Sequence, residues 1–204
     1  MRQLIFFGLI FLISVNILGC GNGGGIGNDE SIGSVTQNLN EGWVAIEQGY
    51  PDNAITKFTN ALNFSDDATT DVAAKTGLAW AYAKKGDLNE AIEYFLKVQN
   101  RNNDANVGLA GAYLARGNTD DFSKAVTLLE HIEQYGGGLD NYASPHTGVS
   151  NAEAYAMLAY CCYLDGNEEK AKLYIKSART IDINNDSVVN ITQTLEILGL
   201  EIPQ

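Results

Sequence analysis

Leu78-Ala79-Trp80-Ala81-Tyr82-Ala83-Lys84-Lys85-Gly86-Asp87-Leu88-Asn89-Glu90-Ala91-Ile92-Glu93-Tyr94-Phe95 decides the fold. A small residue is followed by apolar residues at helix period, then by a glycine, then by an alanine set four residues before an aromatic. The same order runs from Gly42 to Ala61, with Trp43, Ala45, Gly49, Ala54 and Phe58 in matching places. A recurring unit of this kind sets the architecture of a whole chain.

With the glycines Gly49, Gly86, Gly117 and Gly166 as a ruler, four copies emerge. Seven residues before each stands a small residue: Gly42, Ala79, Ala110 or Ala159. Four before stand Ala45, Tyr82, Tyr113 and Cys162. Five after come Ala54, Ala91 and Ala171, while the third copy delays its alanine to Ala125. Phe58, Phe95, Leu129 and Ile175 follow four later, and Ala61, Val98, Ile132 and Ala178 three beyond those. Pro51 suits the first position of a helix, and Asp87 and Asn167 suit N-caps. Val188, Ile191, Leu195 and Leu198 fall on one face of a final helix over 188–200, which would cover the open end of the last copy.

These positions resemble the tetratricopeptide repeat over roughly residues 34–184. The resemblance implies an all-α, right-handed solenoid of about four helical hairpins, with 188–200 as a C-terminal capping helix. The chain departs from the family pattern in three ways. Asp66 and Asn103 replace the usual closing proline, the third copy carries three extra residues around 118–121, and an insertion occupies 135–150. The fold hosts many roles, so function has to be argued from the site.

The N-terminus carries a second message. Arg2 precedes a run from Leu4 to Ile13 broken only by Gly8. Ten residues rise roughly 15 Å as a helix, half a bilayer core, which fits an export leader better than a permanent span. Ile17-Leu18-Gly19-Cys20 resembles the lipobox of bacterial lipoproteins, with Leu18 in place of the usual small residue. The expected organisation is a signal peptide over 1–19, lipidated Cys20 with a glycine-rich tether over 20–31, and a repeat domain over 32–200. Residues 21–27 have the composition of a flexible linker. No Asp follows Cys20, which in similar Gram-negative lipoproteins goes with an outer-membrane location facing the periplasm.

Of the 204 residues, 45% are hydrophobic and only three are proline, enough apolar residues for a helical core. Loss of Arg2 with the leader takes the net charge from −12 to −13. Such a chain is repelled by nucleic acid and by anionic head groups, so acyl chains on Cys20 would have to hold it at the membrane.

In tetratricopeptide proteins the first helix of each repeat lines a concave groove. One lining position here is held by Trp43, Trp80, Gly111 and Tyr160, and a second by Ile46, Ala83, Leu114 and Tyr163. Trp43, Ile46, Trp80, Leu114, Tyr160 and Tyr163 are therefore the candidate partner-binding residues, expected to be exposed and aromatic at each end. Trp and Tyr commonly anchor interfaces. Lys84, beside Glu47, is the one clear cation on that face, so an anionic peptide is a poor fit. The expected partners are other envelope proteins or peptides, and a second copy of the chain could also fill the groove.

The remaining motifs have plainer readings. Ser144, His146 and Asp140 lie in the insertion, but sequence proximity does not make a triad. Asp182-Ile183-Asn184-Asn185-Asp186 starts like a calcium loop but has Ser187 and Gln193 where glycine and glutamate belong. Cys161 and Cys162 read as buried structural residues. Asp66-Asp67, Asp120-Asp121 and Glu168-Glu169 read as solvated helix starts. No motif asks for a cofactor or a metal, and the chain is not expected to be an enzyme. The function expected is a membrane-anchored protein-binding scaffold of the cell envelope. The alternative is an accessory component of an enzyme or transport system, with a small-molecule or partner site at loop 136–150.

Overall fold

The computed structural model describes residues 34–202. The leader, Cys20 and most of the tether therefore lie outside the described residues. Nine α-helices follow in order among the described residues: α1 (Val35–Glu47), α2 (Pro51–Asn63), α3 (Ala68–Lys85), α4 (Leu88–Val98), α5 (Asn103–Arg116), α6 (Thr119–Tyr135), α7 (Asn151–Leu164), α8 (Glu168–Ile181) and α9 (Asp186–Ile197). None of them is long and apolar enough to cross a membrane.

Each helix packs against the next, and α1–α2, α3–α4, α5–α6 and α7–α8 are the four hairpins. The first helices also touch one another in sequence: α1 on α3, α3 on α5, α5 on α7. Among the described residues the second helices α2, α4, α6 and α8 make no such mutual contacts. Inner helices that touch and outer helices that splay give a curved helical solenoid, with α1, α3, α5 and α7 on the inside of the curve.

The repeat positions explain this packing. Gly49, Gly86, Gly117 and Gly166 all have φ between 73° and 90°, a left-handed turn that costs glycine little and other residues more. Phe58, Phe95, Leu129 and Ile175 are fully buried, as are Ala54, Ala91, Ala125 and Ala171. Burying a Phe or Leu side chain contributes about 1.5–3 kcal/mol, so the recurring row stabilises every hairpin alike. The inner helices are sheathed on most sides, and α5 and α7 are correspondingly rich in alanine and glycine.

A close approach was missed in the sequence. A Cβ on Gly77 would lie 2.3 Å from Phe58 Cε1, and one on Gly108 would lie 2.3 Å from Phe95 Cζ. Each phenylalanine thus fits a glycine notch on the next hairpin. The signal was present as Gly-Leu-Ala in both copies, at Gly77 and Gly108.

The extra residues of the third copy do not form a loop. They start α6, which runs 17 residues against 11 for α4. Three residues are nearly one helical turn, so Ala125 returns to the inner face. Asp121, expected to be solvated, is 1% exposed and takes a two-pronged bond from Arg116 at 2.7 and 2.8 Å. It also accepts the Asn118 N–H, closing a capping box. Burial opposes its ionisation, but the Arg116 fork and the Asn118 N–H outweigh that and hold the carboxyl below the usual carboxylate range.

At the other end, α9 packs on α7 and α8 and covers the last hairpin. Val188, Ile191 and Leu195 are buried as expected, but Leu198 is 44% exposed. The helix has already ended there, and left-handed Gly199 turns the chain so that Leu200 is buried instead. Asp182 Oδ1 accepts from the Asn184 N–H and Asn185 caps α9, so both side-chain oxygens serve local turns. Cys161 and Cys162 are buried in α7, and burial pushes the Cys162 thiol up to about 12.

Candidate binding groove

The candidate residues lie on the inner helices, but they do not form an open platform. None of Trp43, Ile46, Trp80, Leu114 and Tyr160 exceeds 8% exposure, and Tyr163 is half-buried. The expectation of exposed rings is corrected by two observations.

First, both tryptophans lean into their own hairpins. Trp43 meets Phe58 edge-on at 5.0 Å, and Trp80 meets Phe95 edge-on at 5.5 Å. Their shared repeat position is therefore partly a core position. Edge-to-face pairs contribute about 0.5–1.5 kcal/mol beyond area burial.

Second, the insertion folds back across the concave side. It leaves α6 through Gly136, whose carbonyl accepts from Asn103 Nδ2 on α5. Leu139 opens a short 3-10 turn, Leu139–Asn141, and is fully buried against α6 and α7. Its N–H donates to Glu133 Oε2 at 2.8 Å. Tyr142, 6% exposed, then reaches Asp104 at the start of α5. His146 stacks on Trp43 of α1, with ring centroids 4.2 Å apart and planes 11° apart. The chain returns to α7 beside an isolated antiparallel bridge between Ala143 and Ser150. The insertion is thus a finger that begins between α6 and α7 and touches α5 and α1.

Asp104 is the polar centre of this arrangement. Trp80 Nε1–H donates to its Oδ2 at 2.8 Å, and the Tyr142 hydroxyl donates to its Oδ1 at 3.0 Å. The carboxylate is 9% exposed, so these partners offset a desolvation that would otherwise cost several kcal/mol. Burial, with the neighbouring Asp104 charge, pushes the Tyr142 phenol well above its usual range, so it keeps its proton to donate. Sequence reasoning did not single out Asp104 or Tyr142. Their link spans 38 residues and joins a repeat position to a stretch with no counterpart in the other repeats.

The far end of the groove is closed differently. The Tyr163 hydroxyl donates to the Leu198 carbonyl at 2.7 Å, so this ring ties α7 to the end of α9. Burial pushes the Tyr160 phenol up to about 12. A Cβ on Gly111 would meet Met157 Sδ at 3.6 Å, so methionine occupies the space above that glycine. Lys84 is half-buried and interacts electrostatically with Glu153 rather than Glu47; desolvation lowers its pKa and Glu153 opposes the shift.

The three residues that invite a triad reading are engaged separately. Ser144 Oγ accepts from the N–H and hydroxyl of Thr147, His146 lies flat on Trp43, and the Asp140 side chain interacts with Tyr155. Among the described residues, no cluster of three His, Cys, Asp or Glu side chains is arranged to hold a metal.

The tetratricopeptide repeat family profile matches residues 72–105, which span most of α3, all of α4 and the start of α5. No curated protein sequence matches the chain. Among solved structures, the fold is similar to that of a thermophilic TPR protein from Thermus thermophilus, with a TM-score of 0.62 and 20% identity over 81% of this chain and 84% of that one. At that identity the likeness speaks for the fold, a stack of tetratricopeptide-type hairpins.

Proposed function

We propose that the protein is a lipid-anchored, protein-binding scaffold of a bacterial cell envelope. The observation that carries this reading is a stack of four helical hairpins behind the sequence Ile17-Leu18-Gly19-Cys20 and a glycine-rich stretch. A hairpin stack offers extended surface and little enclosed chemistry, which favours binding over catalysis. The family match is to a repeat whose folds generally bind proteins, and no catalytic family accompanies it. The acyl chains on Cys20 attach the protein to the outer membrane, and the tether lets the stack reach partners in the periplasm. The strongly acidic body adds nothing to that attachment.

The groove and the insertion are one place rather than two. A partner reading centred on Trp43 and Trp80 and one centred on loop 136–150 therefore converge on the same surface.

Fractionation of a Gram-negative host tests the anchor. The wild-type chain is expected in the outer-membrane fraction and Cys20→Ser in the soluble periplasm; a variant that still pellets with membranes contradicts lipid anchoring. Crosslinking in cells followed by affinity capture tests the scaffold. Discrete protein partners are expected, and their absence at crosslinker levels that capture a control envelope complex contradicts it.

A further inference from the structure

The concave face holds a segment of its own chain, and the way it is held describes what the groove accepts. A phenol is hydrogen-bonded to a buried carboxylate, Tyr142 to Asp104. A flat ring is laid on an indole, His146 on Trp43. The residues between them, 143–145, are exposed or half-buried. This is how an extended peptide sits in a groove, with two anchors four residues apart and solvent-facing chain between.

The backbone bonds of the tip run within the finger. Ser144 N–H donates to the Val149 carbonyl, Tyr142 N–H to the Leu139 carbonyl, and Thr147 N–H to Ser144 Oγ. These would travel with the tip if it moved. The base is fixed separately, by buried Leu139, by Glu133 and by Asn103. Gly137 and Gly138 before the tip, and Gly148 within it, have φ between 75° and 88°, where glycine is the favoured residue. The finger thus divides into a pinned base and a tip that is joined to the groove through its two anchors.

We propose that residues 140–149 are a displaceable self-ligand of the concave groove. Their place is taken by an extended partner segment that offers a tyrosine hydroxyl to Asp104 and, four residues later, a flat ring to Trp43. This rests on the protein-binding reading above and states the chemistry of the partner. Trp80 shares in recognition by donating to the second oxygen of Asp104 and holding that carboxylate toward the phenol. A cationic side chain is not needed, because the negative charge is the groove's own. A self-ligand also sets a threshold: the partner's apparent affinity is reduced by the fraction of molecules in which the groove is open.

The test uses the detergent-solubilised full chain and a synthetic peptide of residues 140–149. In one variant residues 141–148 are replaced by a glycine–serine linker of equal length, leaving Leu139 and the start of α7 in place. The peptide is expected to bind the replaced chain, and to bind wild type about tenfold more weakly or less, because the tethered finger competes. Peptides carrying Tyr142→Phe or His146→Ala are expected to bind the replaced chain more weakly than the parent peptide. Equal binding to both proteins overturns the proposal, as does no binding to a replaced chain that keeps its helical content and cooperative unfolding.

Hydrogen exchange on the wild-type chain keeps the proposal testable even if the replacement fails to fold. The amides of Ser144 and Thr147 are expected to exchange at least about a hundredfold faster than core amides of α3 and α5, through local opening. Exchange only by global unfolding makes the finger a permanent part of the core and overturns the proposal. Failure of cellular partner capture, with peptide binding intact, would instead count against the scaffold reading and leave the groove's chemistry standing.

Discussion

The hairpin stack and the 136–150 finger are built from the same kinds of contact, yet they differ in how those contacts are distributed. In the stack, every important contact has copies. Phe58 fits Gly77 as Phe95 fits Gly108, and Trp43 meets Phe58 as Trp80 meets Phe95. In the finger each contact occurs once: Tyr142 on Asp104, His146 on Trp43, Leu139 under the base. Repetition spreads stability over the chain, whereas unique contacts concentrate specificity in one place. The stack is therefore expected to respond to mutation as a framework, and the finger as a local device.

Phe95→Ala breaks the framework side most severely. It empties a fully buried site shared by two hairpins and is expected to cost about 4 kcal/mol, read as a lower urea midpoint. A loss under about 1 kcal/mol would mean that the notch collapses freely around the missing ring.

Asp121→Asn follows, at about 3 kcal/mol, because it leaves Arg116 without its buried counter-charge and weakens the α6 cap. The same group adds an acid limb to the stability curve. Its folded pKa lies below the unfolded one, so its contribution is complete above the ordinary carboxylate range and fades as pH falls through the depressed value. Urea midpoints measured from neutral pH downward should fall more steeply for wild type than for Asp121→Asn.

Tyr142→Phe sharpens the finger side with the smallest effect. It removes one hydrogen bond to Asp104 and is expected to cost about 1–2 kcal/mol. Exchange should quicken at the tip amides of Ser144 and Thr147 while α3 and α5 keep their protection. A uniform rise across all helices would place the finger inside the cooperative core and erase the distinction.

The same contrast explains what was legible beforehand. Internal alignment found the alanine and phenylalanine rows because four copies vote on each position, and those rows are the buried ones. It misjudged exposure at Trp43 and Trp80, since a lining position in one helix says nothing about a segment arriving from elsewhere in the chain. It marked 135–150 as unexplained by the repeat, but no copy existed from which to infer that Tyr142 meets Asp104. Asp121 shows the same limit on a smaller scale. An acidic pair at a helix start ordinarily meets solvent, and only the position of Arg116 across the Gly117 turn buries one member of it.

The central claim is that the chain's own insertion fills the concave groove and covers Trp43. Acrylamide quenching of tryptophan fluorescence tests it most directly, by comparing wild type with the chain whose residues 141–148 are a glycine–serine linker. Wild type should be poorly quenched, because Trp43 and Trp80 are 8% and 5% exposed. The replaced chain should gain one quenchable tryptophan, Trp43, with a red-shifted emission component. Identical quenching in two equally folded proteins would contradict the account, because the finger would then not be what shields the groove.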